Sequence, residues 1–124
     1  MKITVPYFGD LSCNAYKVYR KGRPVITTKP NVKVWMAKLA YLVEKEQELN
    51  PVNLEGKVII GLVGHFKSLN STPDLGNLHK VMDDAIKEGL NYDDREFLHA
   101  DLGYSTGDIE PTLEITISAK ETNI

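Results

Sequence analysis

The segment Pro73–Asp94 reads PDLGNLHKVMDDAIKEGLNYDD, and it predicts a helix with one apolar and one polar side. An α-helix turns by about 100° per residue. At that rotation Asp74, Asn77, Lys80 and Asp84 lie together on the polar side. The opposite side carries the apolar residues Leu75, Leu78, Met82, Ala85 and Ile86. The pattern predicts a helix that packs on a core and presents charged side chains to solvent.

The residues at the two ends of this helix set its expected limits. Asp74 follows Pro73 and has the side chain of an N-cap residue, so we expect the helix to begin there. It should reach about Glu88, with Gly89 at the C-cap. The pair Asp93–Asp94 follows in a loop. If the chain folds back there, these carboxylates meet the Asp74 end of the helix.

An earlier helix is predicted from Asn31 to about Leu49. Pro30 stands near its start, where proline is tolerated, and Asn50-Pro51 ends it. Its apolar residues recur at helical spacing and are Val32, Trp35, Met36, Leu39, Leu42 and Val43. We expect Trp35 to lie in the core rather than to stack on a base.

The remaining apolar segments have the alternation or the continuous apolar character of strands. They are residues 2–7, 16–20, 24–28, 57–66, 95–104 and 112–119. The second and third would form a hairpin with a turn at Lys21-Gly22, the fourth a central strand, and the last a half-buried strand closing the sheet. Gly61 and Gly64 indicate a bulge or the close approach of another backbone. The interpretation is a single α/β (α+β) domain over residues 1–124, with a mixed sheet packed against two main helices.

Composition narrows the class of protein. Apolar residues make up 42% and charged residues 26% of 124 residues, as in ordinary globular proteins. No apolar run approaches the roughly 18 residues of a membrane span, and the N-terminus lacks the features of a signal peptide. We therefore expect a cytoplasmic protein. Cys13 is the only cysteine, which excludes an internal disulfide and argues against a zinc cluster; we expect it to be a small, semi-buried apolar residue.

The net charge of −2 is unusual for a protein that binds DNA. Basic residues are nevertheless concentrated in the first third of the chain, where Asp10 is the one acid. They are Lys2, Lys17, Arg20, Lys21, Arg23, Lys29, Lys33 and Lys38. The asymmetry predicts a basic surface formed by the N-terminal region; the alternative is a solvated face with no partner.

The acids of the Pro73–Asp94 segment have the chemistry of a metal site. Mg²⁺ prefers oxygen ligands and usually retains several waters. Such an ion can activate water and stabilise charge on a phosphodiester, and a lysine can hold a phosphate. Each residue also has a structural explanation: Asp74 as a helix N-cap, Asp93–Asp94 as a turn, and Lys80 with Asp84 as an i,i+4 ion pair.

The chain resembles the RusA family of Holliday-junction-resolving endonucleases. The family signature Asp-Leu-Asp-Asn-Leu-x-Lys corresponds to Asp74-Leu75-Gly76-Asn77-Leu78-His79-Lys80. A helix with Asp84-Ala85-Ile86 and a turn ending in Asp93-Asp94 follow in the family's order. Upstream, Ser12-Cys13-Asn14 is similar to the family's Pro-Ser-x-Asn segment, and TLEITI is similar to its C-terminal strand. The resemblance covers nearly the whole chain.

The resemblance implies a small α/β domain that works as a homodimer and makes paired, Mg²⁺-dependent nicks in four-way DNA junctions, with Mn²⁺ as a possible substitute. By position, Asp74 and Asp94 would be metal ligands and catalytic residues, with Asp93 as an adjacent acid that helps. Lys80 would be the catalytic lysine. The residues expected to contact DNA are Asn14, Lys17, Arg20, Lys21, Arg23 and Lys80. Members are often encoded by phages or prophages.

Gly76 departs from the signature, because the family has a metal-binding aspartate at this position. Three explanations compete. Another acid, Asp84 or Asp93, completes the site; or His79 or His65 contributes a nitrogen, which favours a softer ion such as Mn²⁺; or the protein binds branched DNA or a protein partner without cleaving. For both histidines a packed or hydrogen-bonded structural role is the alternative. An unrelated small-molecule enzyme is a further class, although no phosphate-binding glycine loop or nucleophile elbow is present.

Overall fold

The computed structural model of the chain describes residues 1–19 and 26–120, in which six strands and two α-helices alternate in a mixed order. The elements are β1 (Lys2–Pro6), β2 (Lys17–Tyr19), β3 (Ile26–Thr28), α1 (Pro30–Leu49), β4 (Val58–His65), α2 (His79–Leu90), β5 (Phe97–Ser105) and β6 (Thr112–Ala119). Every helix and strand expected from the sequence is present. The expected turn at Lys21-Gly22 lies outside the described residues.

The main sheet has four strands in the order β1-β6-β4-β5, and β2 and β3 form a separate antiparallel hairpin. β4 pairs antiparallel with β6 and parallel with β5, so the sheet is mixed and β4 is central, as expected. β6 also pairs with β1 and is therefore an interior strand. The expectation that β6 closes the sheet is wrong, because the N-terminal strand pairs along its free edge and leaves β1 and β5 at the edges.

The core lies between one face of this sheet and the two helices. Alternate residues of β1, Ile3 and Val5, point into it while their neighbours are exposed, which is the alternation expected of a half-buried strand. Strands β4, β5 and β6 contribute Val58, Ile60, Leu62, Phe97, Leu113, Ile115 and Ile117 to the same cluster. The remaining core side chains come from α1, α2 and the turns beside them.

Helix α1 has the limits that its periodicity predicts, with Pro30 in its first turn. Val32, Leu39 and Val43 are fully buried, and Trp35 is only 4% exposed. The Trp35 Nε1 donates a hydrogen bond of 2.7 Å to the Pro6 carbonyl oxygen and so ties α1 to the end of β1. The core role expected for Trp35 is confirmed.

Helix α2 begins and ends later than the sequence predicts. Residues Leu75–Leu78 form a 3-10 turn, and the α-helix starts only at His79. It ends at Leu90, with Asn91 in the left-handed conformation (φ 51°) at the C-cap. The prediction of Gly89 as C-cap is wrong, because this glycine serves helix packing: a Cβ on it would lie 2.6 Å from the Ala40 carbonyl oxygen of α1.

Two glycines of the central strand have a packing role. A Cβ at Gly61 would collide with the Thr116 hydroxyl of β6, and one at Gly64 would collide with the Phe66 ring. The register between β4 and β5 shifts between Leu62 and Val63. The expected bulge is present, but the expected close approach of another backbone is wrong, because the close neighbours of both glycines are side chains.

Candidate active site

The signature residues form a surface turn that is anchored from below. Leu75 and Leu78 are buried in the core, which leaves Asp74 and Gly76 exposed on the outside of the turn. The Asp74 Oδ1 accepts a hydrogen bond of 3.0 Å from the Gly76 backbone N–H. This is the N-cap role expected of Asp74, but it caps the 3-10 turn rather than α2 itself.

The loop that precedes β2 packs on the signature turn. The Cys13 backbone N–H donates a hydrogen bond of 2.7 Å to the Asn77 carbonyl oxygen. Leu11, which is 1% exposed, holds this loop in the core. Cys13 and Asn14 themselves are exposed, so the prediction of a semi-buried Cys13 is wrong. The reason is that the loop lies on the surface of the turn and only Leu11 enters the protein.

Lys80 lies in the first turn of α2 and pairs with Asp84 one turn later. Its Nζ donates a hydrogen bond of 3.2 Å to the Asp84 Oδ1, as expected of an i,i+4 pair. This bond raises the pKa of Lys80, and the charges of Tyr16 and Asp94 raise it by smaller amounts. Lys80 is therefore exposed to solvent and positively charged at neutral pH.

The two acids after α2 have different surroundings. Asp93 caps the 3-10 turn Asp94–Glu96, and its Oδ1 accepts a hydrogen bond of 3.0 Å from the Arg95 backbone N–H. That hydrogen bond lowers the pKa of Asp93. The Asp94 Oδ1 lies 3.9 Å from the Lys87 Nζ of α2. The turn expected at this pair is present, and Asp94 is the acid that lies beside the helix.

The donors for a metal ion are present but do not form a ready cage. Within residues 1–19 and 26–120 no three histidine, cysteine, aspartate or glutamate side chains converge on one point. No hydrogen bond or ion pair of the described residues joins Asp74 to Asp94. Mg²⁺ is commonly held by one or two carboxylates together with substrate phosphates and waters. The carboxylates of Asp74 and Asp94 have the chemistry of Mg²⁺ ligands, but the described residues show no assembled site.

Gly76 stands where the resemblance leads us to expect a metal-binding aspartate. Its backbone φ is not in the left-handed region, so the conformation does not require glycine. A Cβ built on it meets one neighbour within 4 Å, the Asp74 Oδ1 at 3.4 Å. An aspartate side chain would fit at this position and would lie beside the Asp74 carboxylate. Nothing in the structure explains the glycine.

Four polar side chains that sequence analysis did not combine join α2 to β5. The His79 Nε2 donates a hydrogen bond of 2.8 Å to the Asp101 Oδ1. The His99 Nε2 lies 2.8 Å from both carboxylate oxygens of Asp83. The two imidazole rings stack with centroids 3.9 Å apart and planes 9° from parallel. We call these four residues the histidine–aspartate cluster; the hydrogen-bonded role expected of His79 is confirmed.

Burial affects Asp83 most strongly within this cluster. Its side chain is 15% exposed, against 34% for that of Asp101. Burial raises the pKa of Asp83, while the hydrogen bond and charge of His99 oppose that rise and the charge of Asp94 adds to it. His65, the third histidine, is hydrogen-bonded to Ser105 at 2.8 Å.

An open cleft lies at the C-terminal end of α2. Its volume is about 470 Å³, and its lining residues are Asp84, Lys87, Glu88, Asn91, Tyr92 and Asp93. Asp84 and Lys87 are the partners of Lys80 and Asp94, so the cleft borders the candidate site. The lining combines charged side chains with the ring of Tyr92.

Comparison with known proteins identifies the family. The family model described as Endodeoxyribonuclease RusA matches residues 12–118. The chain belongs to the RusA family. The match includes the signature turn, Lys80 and the acid pair, and it confirms the resemblance found in the sequence. Membership implies endodeoxyribonuclease activity for this RusA protein. No curated protein matches the chain.

The structure describes only some of the residues that we expect to contact DNA. Asn14 and Lys17 are exposed, and Lys80 lies at the start of α2. The Lys17 Nζ lies 5.3 Å from the centroid of the Tyr16 ring. Arg20, Lys21 and Arg23 lie outside the described residues.

Neither helix is long and apolar enough to cross a membrane in the part of the chain that the structure describes.

Proposed function

We propose that this RusA protein hydrolyses phosphodiester bonds in branched DNA and resolves four-way junctions by paired nicks. The observation that carries the proposal is the family match, which includes the signature turn, Lys80 and the acid pair Asp93–Asp94. In the structure Lys80 pairs with Asp84 at 3.2 Å, and Asp94 lies 3.9 Å from Lys87 of the same helix. A lysine beside a carboxylate on an exposed surface suits binding of a phosphate together with a cation. In this proposal the enzyme acts in the cytoplasm.

In this proposal Lys80 holds a non-bridging oxygen of the scissile phosphate. Its raised pKa keeps the ammonium charged at neutral pH, and exposure lets a phosphate replace Asp84 as its partner. Asn14 and Lys17, with Arg20, Lys21 and Arg23, bind the neighbouring backbone of the DNA. These contacts align the phosphate with the acids, since phosphate contacts set register on nucleic acid.

Asp74 and Asp94 are the residues that would hold Mg²⁺, with Asp93 adjacent and Mn²⁺ as an alternative ion. When bound, the ion supplies Lewis-acid stabilisation of the charge that builds on the phosphate and lowers the pKa of a bound water. Asp74 retains acceptor capacity, because a carboxylate offers about four lone-pair sites and Gly76 uses one. Asp84, which lies on α2 one turn after Lys80, could complete the set.

A homodimer is part of the proposal because two symmetric nicks require two sites related by a two-fold axis. The expected stoichiometry is two chains to one four-way junction. Sedimentation of the protein with and without a synthetic junction measures this directly. A monomer that nicks each strand independently would produce unpaired nicks.

The deciding experiment is cleavage of a labelled synthetic four-way junction in Mg²⁺ and, separately, in Mn²⁺. Wild type is expected to make paired nicks in the junction and none in a matched linear duplex, and Asp94→Asn and Lys80→Ala are expected to abolish them. Lys45→Ala is the matched control, because Lys45 and Glu48 form a similar exposed helical ion pair on α1. Nicking that survives Asp94→Asn would refute the proposed site.

A non-catalytic relative is the second candidate, and Gly76 favours it. Loss of one carboxylate weakens Mg²⁺ binding because the charge and number of ligands set affinity. Such a protein would bind the junction at low salt, would not cleave in either metal, and would be unaffected by Asp94→Asn. The cleavage experiment distinguishes the two candidates directly.

A further inference from the structure

The proposed active site is divided between two segments of the chain. Asp74 and Lys80 belong to the signature turn and the first turn of α2, whereas Asp94 lies in the turn that leads into β5. Catalysis of phosphoryl transfer depends on holding such groups in a fixed relation. Lys87, near the end of α2, lies 3.9 Å from Asp94, but both side chains are partly exposed and such a pair constrains them weakly.

The histidine–aspartate cluster supplies a stronger connection at the same place. His79 immediately precedes Lys80, and His99 lies on the strand that follows Asp94. Each histidine is bonded at 2.8 Å to an acid of the opposite element, so the two bonds cross between α2 and β5 in both directions. The stacked rings make a third contact between the same elements.

The cluster lies at the border of the core. Phe97 at the start of β5 is buried, whereas His99 and Asp101, two and four residues later, are exposed. The Asp83 side chain of α2 is only 15% exposed, and a polar group that is largely buried must be hydrogen-bonded to be tolerated. Directed hydrogen bonds fix the relative position of α2 and β5 in a way that apolar packing does not.

We infer that the histidine–aspartate cluster positions Lys80 relative to Asp94 for phosphodiester hydrolysis. His79, Asp83, His99 and Asp101 act as positioning residues: they set the first turn of α2 against β5 and do not touch the DNA. The inference rests on the proposed function for its catalytic consequence. Its structural part, the fixed relation of the two segments, stands apart from whether the chain cleaves DNA.

The test compares His99→Phe with Asp83→Asn. His99→Phe keeps the ring stack but loses the bonds to Asp83, whereas Asp83→Asn keeps a hydrogen-bonding partner for His99. In single-turnover nicking, His99→Phe is expected to slow the rate by roughly ten- to a hundredfold with the junction Kd unchanged. Asp83→Asn should stay within a few-fold of wild type. Lys45→Ala, which alters an exposed ion pair on α1 outside the cluster and the site, is the control and should have no effect.

A second measurement is independent of activity. At 13.9 kDa the protein is suited to backbone NMR, and amide relaxation dispersion reports motion of the Lys80 and Asp94 segments. His99→Phe is expected to introduce exchange at both segments while the melting temperature changes little. A wild-type relaxation profile in His99→Phe overturns the inference, and so does a loss of junction affinity equal to the loss of rate. If wild type does not cleave, the proposed function fails and the relaxation measurement alone decides the positioning role.

Discussion

Replacing Gly76 with aspartate should convert an incomplete carboxylate set into one that binds Mg²⁺ more tightly. The site has room, since the only neighbour of a Cβ there is the Asp74 Oδ1 at 3.4 Å. Replacing glycine in a helical turn gains up to about 1 kcal/mol of stability. Two carboxylates about 4 Å apart repel by about 1 kcal/mol in water. Without a divalent ion the variant should therefore unfold at nearly the wild-type temperature.

Mg²⁺ should then stabilise the variant more than it stabilises wild type. A ligand at a hundred times its Kd stabilises the folded state by about 2.7 kcal/mol. For a domain of this size that corresponds to a rise in melting temperature of about 10 °C. The assay is thermal unfolding of Gly76→Asp, Gly76→Asn and wild type across a Mg²⁺ titration. Gly76→Asn introduces a side chain with nearly the volume of aspartate but without its charge. Its melting temperature should respond to Mg²⁺ as that of wild type does.

The same three proteins separate the explanations for Gly76 in the junction assay. If the missing carboxylate limits the reaction, Gly76→Asp nicks faster than wild type at low Mg²⁺ and Gly76→Asn does not. If Asp84 or Asp93 already completes the site, wild type and Gly76→Asp have equal rates. Equal responses of Gly76→Asp and Gly76→Asn to Mg²⁺ in thermal unfolding would refute the placement of the site beside Asp74.

Three further predictions concern stability. Gly89→Ala should destabilise by about 1–3 kcal/mol through overpacking against α1, whereas Gly9→Ala, which has open space, should be nearly neutral in urea unfolding. Hydrogen bonds lower the pKa of Asp10 below its ordinary value of 3.8. The stability that they contribute is therefore present above that pH and is lost as the pH falls below it. The melting temperature of Asp10→Asn should lie below that of wild type at pH 7, and the difference should close as the pH falls through that range. Tyr92→Phe removes hydrogen bonds of 2.7 and 2.8 Å to the Gly56 backbone and should cost about 1–2 kcal/mol by denaturant unfolding; an unchanged midpoint would show that water replaces them.

The elements could be predicted because their apolar residues repeat with the period of a helix or a strand. The helix α1 from Pro30 and the strand β6 are examples, since burial follows their sequence pattern closely. What failed depends on contacts distant in sequence. Glycine is common at helix C-caps, but the role of Gly89 is close packing against α1, which is distant in sequence. β6 is an interior strand because it pairs with β1, and no pattern within β6 predicts that pairing.

The candidate site likewise contains features that could be predicted from local sequence and features that could not. The cap at Asp74 and the pair of Lys80 with Asp84 are local and could be predicted from spacing. The histidine–aspartate cluster was missed because it joins α2 to β5. A signal was present, however: His79 and Asp83 are four residues apart on a helix, and His99 and Asp101 are two apart on a strand. Each pair shares a face of its own element, but nothing local indicates that the two faces meet.

The acidic composition is compatible with DNA binding because several acids around α2 are already paired with basic side chains. Asp84, Asp94 and Asp93 lie within ion-pair distance of Lys80, Lys87 and Arg95, respectively. In the proposed mechanism a phosphate replaces Asp84 as the partner of Lys80. An exposed pair of this kind contributes at most about 1 kcal/mol, so the exchange costs little. Release of Asp84 from Lys80 would at the same time leave a carboxylate beside the phosphate, free to bind the cation that accompanies it.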